Sequence, residues 1–520
     1  MQSISSNRSR RRAPRFALLL LICWGWLLLP LTAAVRLAPV FADHAVLQRD
    51  QPLAIWGQAD PGEKIAVRFR ERTAATQAGA DGAWRVTFAP FAASTEPAEL
   101  VVQGNNTVVC RDVLVGDVWW CSGQSNMEFA VATARDSARE IAGASWPLIR
   151  HIKIKRQLAD TPRTEVTATP WQPATPEHVG KFTAAGYFFA REVHRHIGVP
   201  IGILNCTWSG TPIEPWMNAE ALAGDPAFAV VGERWRADLA AYPERRAKFE
   251  QTLADWRKQE EAAKTQGAEA HAKFLRDQRA PRPPIGAPDH PYPSNPSAIF
   301  NGMVHPLRQL TIKGVLWYQG EGNAVRAPEY AALFQAHIRD WRRVFAQPAL
   351  PFYWVQIANY RVNTDWPRLR EAQSRALALP NTGQAVTIDI GDPDDIHPTN
   401  KQEVGRRLAL IALAQLYGGT AEYSGPTMRA AHPRDAAIEV VFEHAAGLHA
   451  RDGKIGRLEL AGADRIFHPA EGRIAGETLL VTSPKVSHPV AVRYAWHSAP
   501  ETGLCNAAGL PAAPFRSDDW

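Results

Sequence analysis

Acyl transfer by a side chain needs a nucleophile, a base that takes its proton, a group that holds the base, and donors for the oxyanion. The stretch Gly116-Asp117-Val118-Trp119-Trp120-Cys121-Ser122-Gly123-Gln124-Ser125-Asn126-Met127 reads as an apolar strand running into a small polar turn. Ser125 stands at the tip of that turn, with a helix expected behind it. A serine held there has an exposed hydroxyl and backbone N–H groups close by. The motif is not Gly-x-Ser-x-Gly, because Asn126 and Met127 follow the serine. Most serines in such turns do no more than cap a helix, so a partner histidine has to carry the argument.

That partner lies far downstream, in Asp392-Pro393-Asp394-Asp395-Ile396-His397-Pro398. Pro398 biases His397 toward extended backbone, which places the histidine in a loop. An aspartate three residues before a histidine curls back within one turn. That favours Asp394 as the carboxylate orienting His397, with Asp395 and Asp392 as competitors. Two more clusters complete the set. In Trp317-Tyr318-Gln319-Gly320-Glu321-Gly322-Asn323, the amide of Gln319 or Asn323 can donate to an oxyanion. In Trp208-Ser209-Gly210-Thr211-Pro212-Ile213-Glu214-Pro215-Trp216, Gly210 can bring a bare backbone N–H close to a substrate oxygen, beside that of Ser125. Gln124, Glu321 and Trp208 are candidate substrate contacts. Turn chemistry alone explains either cluster singly. All four clusters, however, follow expected strands, and ligand groups of parallel sheets gather at the carboxyl ends of strands. Together they point to ester hydrolysis.

Three other readings compete. Glu214 and Glu321 can be the paired carboxylates of a glycosidase. Eighteen tryptophans suit a non-catalytic sugar-binding protein, although buried core is the commoner fate of indoles. A metal-dependent deacetylase needs ligand spacings that are missing. His194 and His196 are two apart and fall on different helix faces, and the cysteines match no zinc pattern. No metal or cofactor is expected.

The elements that must position these residues fall into blocks. Residues 35–110 alternate apolar and polar side chains between Gly/Pro/Asp turns, as at 53–57, 64–69 and 84–88, which argues for a small β-sandwich. From 111 to 420, strands expected at 117–121, 199–205, 312–318, 351–357 and 385–390 alternate with helices at 184–197, 330–344 and 402–416. That pattern predicts an α/β domain, a parallel sheet with helices on both faces. A charged, alanine-rich, helical insertion covers about 219–296 and ends in a proline-rich segment. It either shapes a substrate groove or is an inert hairpin. From 421 to 520 short strands return, at 437–442, 455–460, 477–482 and 490–496, as a closing β region.

The chain of 520 residues is 46% hydrophobic and 21% charged, which suits several globular units. Its net charge of +6 comes partly from Arg8, Arg10, Arg11, Arg12 and Arg15, and no basic stripe interleaved with aromatics follows. Nucleic acid is therefore not an expected partner. The basic start, the apolar run at 16–31 and Thr32-Ala33-Ala34 read as a cleavable export signal over 1–34. Arg11-Arg12 also permits a twin-arginine reading, and an uncleaved anchor is the alternative. The expected location is periplasmic or secreted, with no membrane association after cleavage. Cys23 lies in the signal; Cys110, Cys121, Cys206 and Cys505 remain, paired or free.

On these clusters the chain resembles the SGNH-hydrolase superfamily, and more closely its sialate O-acetylesterase family of carbohydrate esterases. Residues 116–127 resemble the first block, with Ser125 as nucleophile, and residues 208–216 the second, with Gly210 as donor. Residues 317–324 resemble the third, and 389–401 the last, with His397 as base. The resemblance runs from about residue 37 to the C-terminus. It implies a flavodoxin-like hydrolase domain, removal of acetyl groups from sugars, and no metal. Two departures stand out. The insertion is outside the core pattern, and relatives with such insertions act on acetylated plant polysaccharides such as xylan or xyloglucan rather than on sialic acid. The common third block, Gly-x-Asn-Asp, is matched only by Gly320-Glu321-Gly322-Asn323, which leaves Gln319 and Asn323 both open as donor.

Overall fold

A computed structural model describes residues 34–281, 283–284 and 293–520. The apolar run of the expected signal, with Cys23, lies outside the described residues, as does part of the proline-rich segment. No helix of the described residues is long and apolar enough to cross a membrane.

The N-terminal strands follow the two-residue period. In Lys64–Phe69 the side chains of Ile65, Val67 and Phe69 turn inward while Lys64 and Arg68 face water. Leu53–Gln58 pairs antiparallel with Ala83–Phe88, and Ser94–Gln103 pairs antiparallel with the start of β1 (Thr107–Gly123). At 17 residues, β1 serves two neighbourhoods. Its first part belongs to the antiparallel strands. Its second part, buried without interruption from Val113 to Gly123, enters a parallel array. The division expected at 110/111 therefore falls inside one continuous strand.

The parallel array comprises β1, β2 (Trp146–Lys153), β3 (Ile201–Thr207), β4 (Gly314–Tyr318), β5 (Phe352–Val355) and β6 (Thr382–Ala385). Its order is β2-β3-β1-β4-β5-β6, and every neighbouring pair is parallel. With the strands Val46–Gln48, Lys64–Phe69, Arg72–Gln77, Ser94–Gln103 and Gln172–Ala174 it forms, among the described residues, one mixed sheet of eleven strands, while Arg36–Leu37, Leu53–Gln58 and Ala83–Phe88 make a separate sheet of three. A flavodoxin-like sheet runs 2-1-3-4-5; the five strands expected from the sequence, β1, β3, β4, β5 and β6, stand in that order as β3-β1-β4-β5-β6, and β2 is an additional strand outside β3. Hydrophobic alternation identifies which segments are strands, not which neighbours they take, so the place of β2 beside β3 leaves no trace in the sequence.

Helices cover both faces. The helices used below are α1 (Ser125–Glu128), α2 (Ala184–Ile197), α3 (Ala229–Ala240, in the insertion), α4 (Ala327–Val344), α5 (Trp366–Ser374) and α6 (Lys401–Leu416). Thr183 caps α2 by accepting the Gly186 N–H, and Gly198, at φ 68°, ends it. The period of two in β1 splits its indoles between the faces. Trp119 joins Phe188, Phe189 and Leu408 of α2 and α6. Trp120 joins Trp341 of α4 and Trp317, and that core continues without a break into Ile55, Val67 and Leu100 of the N-terminal strands. With Trp171, Trp216 and Trp354, also fully buried, these indoles make much of the tryptophan load core.

The C-terminal region forms an antiparallel sheet with its own core of Ile438, Val440, Leu460, Val481 and Tyr494. That core also takes Val386 and Ile388. The strand expected at 385–390 is consequently paired only over Thr382–Ala385. Its apolar continuation is drawn off the parallel sheet and buried against the C-terminal region. Cys110, Cys121, Cys206 and Cys505 are buried free thiols.

Candidate active site

Strand register sets the site. Gly123, the last residue of β1, lies opposite Thr207 of β3 on one side and Tyr318 of β4 on the other. Three loops therefore leave the sheet at one level. Gly123 has φ 129°, and a Cβ there would sit 2.2 Å from the Tyr318 carbonyl oxygen, so only glycine fits. The Gln124 N–H donates to the Tyr318 carbonyl (3.0 Å), and the Trp208 N–H donates to that of Gly123 (3.0 Å). The chain then turns at once into α1, whose first residue is Ser125.

The residues around Ser125 are each tied to a different loop. Gln124 Oε1 accepts the Gly322 N–H (3.0 Å). Asn126 Nδ2 donates to Glu321 Oε1 (2.6 Å) and to the Ile396 carbonyl (3.0 Å), while its Oδ1 accepts from Lys401 Nζ (2.6 Å). Glu128 accepts the Ser209 N–H (3.0 Å) and hydroxyl (2.6 Å) and pairs with Lys153 (2.9 Å) and Arg156 (2.7 Å). Ser125 itself is half-buried.

His397 is also half-buried, in the loop after β6. Its backbone N–H donates to Asp395 Oδ1 (2.9 Å), and the same oxygen lies 3.5 Å from His397 Nδ1. Asp394, the favoured orienter, points elsewhere. The Asp392 carboxylate accepts the Asp394 N–H (2.9 Å), an Asx turn that sends the Asp394 side chain outward to Arg361. The three-residue rule fails because Asp392 sets that turn. The Asn126–Ile396 bond joins the residue after Ser125 to the residue before His397. Ser125 Oγ and the His397 ring are not themselves hydrogen-bonded; such bonds are often long before substrate arrives.

Electrostatics favours a neutral imidazole. Burial, the largest influence, lowers the His397 pKa; Lys401 lowers it further and Asp395 opposes them. Burial pushes Lys401 down to about 7, although Glu321 and Asp395 draw it up. Its ammonium lies 4.7 Å from the Phe129 ring centre and 5.1 Å from that of Tyr318. Burial raises Glu321 despite the Asn126 hydrogen bond.

The two amides expected as oxyanion donors are engaged in scaffold. Both N–H groups of Gln319 are used, on the Thr211 carbonyl (3.2 Å) and Asn323 Oδ1 (2.8 Å), and its Oε1 accepts from Tyr330 (2.8 Å). Asn323 Oδ1 also accepts the Ile213 N–H (2.9 Å), and its Nδ2 donates to Glu214 (3.0 Å). Polar groups buried at a strand end must be satisfied internally, and these stitch the third loop to the second. Glu214 is held on both oxygens, by Asn323 and by Arg326 (3.1 Å), which leaves the paired-carboxylate reading without one of its partners.

Gly210 is exposed at φ 76° with open space where a Cβ would be. With Gly322 it lines a cavity of about 280 Å³. Trp208 is half-buried under the Arg156 guanidinium, 5.3 Å from its ring. Sequence reasoning missed Asn126, Glu128 and Lys401. Asn126 carried one available signal, its place directly after the serine.

Residues 294–414, which include Gln319, Glu321, Asn323 and His397, match the family described as carbohydrate esterase, sialic acid-specific acetylesterase. The sialate O-acetylesterase of Rattus norvegicus is 28% identical over 93% of this chain and 94% of that protein. That of Homo sapiens is 27% identical over 92% of each. The crystal structure of a carbohydrate acetylesterase from Xanthomonas citri is similar at a TM-score of 0.78 and 38% identity, covering 94% of this chain and 100% of that one.

Proposed function

Because the chain belongs to the sialic acid-specific acetylesterase family of carbohydrate esterases, and is thus a carbohydrate O-acetylesterase, we propose that it works by a serine mechanism of SGNH type centred on Ser125. An enzyme of this family is not a mere sugar binder. Ser125 Oγ attacks the acetyl carbonyl carbon while His397 takes the hydroxyl proton. The tetrahedral intermediate collapses, the bond to the sugar oxygen breaks, and that oxygen takes the proton from the imidazolium. Water, deprotonated by His397, then attacks the acetyl-serine and releases acetate and free Ser125.

Asp395 is the carboxylate we assign to hold the imidazole, on its 3.5 Å approach to Nδ1. The N–H groups of Ser125 and Gly210 receive the oxyanion. The first N–H groups of a helix lack intrahelical acceptors, and Gly210 faces open space. The observation that carries this reading is the convergence on one serine: Gln124, Asn126 and Glu128 anchor the other three loops around it.

The substrate is an O-acetylated carbohydrate, either sialic acid or a plant polysaccharide such as xylan or xyloglucan, met after export through the N-terminal segment. Ser125→Ala is expected to abolish acetate release from all three while leaving the melting temperature near that of the parent. Retained acetate release would defeat the assignment.

A further inference from the structure

The insertion brings one helical face to the edge of the site. Val231, Arg234, Trp235 and Asp238 of α3 recur at helical spacing, and all four line the cavity that begins at Gly210 and Gly322. Val231 is buried in the main core, which seats the helix. Trp235 is half-buried and stacks on no other ring among the described residues, so an indole surface is presented without an aromatic partner. Arg326, across the cavity, keeps a buried Nε–H with no acceptor.

The charges of the lining are already matched. Arg326 pairs with Glu214 (3.1 Å), Arg234 with Glu329 (2.9 Å) and, more loosely, Glu214 (3.6 Å), and Asp238 with Arg245 (2.9 Å). A ligand carboxylate would find no uncompensated cation there and would have to break a pair. Sugar hydroxyls can instead bond the outer edges of these pairs, and an apolar sugar face can lie on the indole.

We propose that this cavity is a subsite for an uncharged sugar unit next to the acetylated one, with Trp235 as its platform, so that the preferred substrate is a neutral acetylated oligosaccharide. The inference rests on the active-site reading above, which puts the reacting acetyl group beside Gly210.

The test separates binding from turnover. With Ser125→Ala protein, calorimetry measures affinity for unacetylated xylohexaose and for sialyllactose, with and without Trp235→Ala. Xylohexaose should bind better than sialyllactose, and Trp235→Ala should weaken it about tenfold, with Trp235→Phe restoring most of the loss. In the Ser125 enzyme, Trp235→Ala should lower kcat/KM for acetylated xylo-oligosaccharide relative to 4-nitrophenyl acetate about tenfold, mainly through KM. Undiminished xylohexaose binding, preference for sialyllactose, or an equal loss on both esters would overturn the proposal. Should Ser125→Ala retain esterase activity, the mechanism fails, yet the calorimetry still reads the cavity.

Discussion

Asp395 and Asp394 are adjacent in sequence and opposite in circumstance. One carboxylate lies beside the His397 imidazole; the other reaches an exposed Arg361. Asp395→Asn is expected to lower kcat about 10²–10⁴-fold, because the imidazole loses the group that orients it. Asp394→Asn should stay within about twofold, since surface ion pairs contribute little. The pH profile gives a second reading. Burial holds His397 below its ordinary value of 6.5, so the proton-accepting form is in excess at pH 6.5 and the acid limb of kcat/KM lies below that pH. Asp395 is the influence that raises this pKa, so Asp395→Asn should move the limb to still lower pH. A limb that stayed in place, or moved up, would contradict the assignment. At this scale the places of Ser125, at the turn after β1, and of His397, in the loop after β6, were legible, because both follow apolar runs. Which aspartate lies beside His397 was not, because an Asx turn by Asp392 decides it. Nor was the engagement of Gln319 and Asn323, because sequence locates an amide at a strand end without showing which way it faces.

The strand ends decide whether the loops meet. Gly123 is a tight point, with its backbone against Tyr318 and Ser125 two residues on. Gly123→Ala requires β1 and β4 to part or the turn to re-form. A misplacement of the nucleophile of about 1 Å costs about 10²-fold. Assay and melting curve should both fall; a variant with parental activity would mean that the turn has slack the geometry does not suggest. The helix at 184–197 was legible to the residue, because its period and its capping threonine agree. Residues 386–388 were misread as strand because Val386 and Ile388 alternate correctly but bury against the C-terminal region.

Across the whole molecule, the C-terminal sheet braces the histidine loop. Asp389, between β6 and His397, is gripped by Arg407 (2.6 Å) and by Arg451 (3.1 Å) of the C-terminal region. Arg370 of α5, fully buried, donates to four carbonyls: Ile357 (2.9 Å), Ala358 (2.9 Å), His497 (2.8 Å) and Ser498 (2.9 Å). The last two belong to the C-terminal region. Burial lowers this guanidinium to about 9. Arg370→Met leaves the Ile357 and His497 carbonyls unpaired, at about 1–3 kcal/mol each where water cannot reach them; Ala358 keeps the Trp366 indole N–H and Ser498 the Tyr360 N–H. A clearly lower midpoint in denaturant is expected, by at least ~2 kcal/mol; an unchanged midpoint would mean the two regions do not depend on this contact. The block order along the chain was readable from composition and period. The added strand β2 beside β3, and the single strand that joins the N-terminal sheet to the parallel one, were not. Both depend on long-range pairing.

The central claim is that Ser125 carries the acetyl group between sugar and water. Mass spectrometry of enzyme acid-quenched during turnover of 4-nitrophenyl acetate tests it most directly. The peptide containing Ser125 should gain the mass of one acetyl group, and the Ser125→Ala protein should gain none and release no acetate. Acetyl found on another residue, or turnover that persists without Ser125, would contradict it.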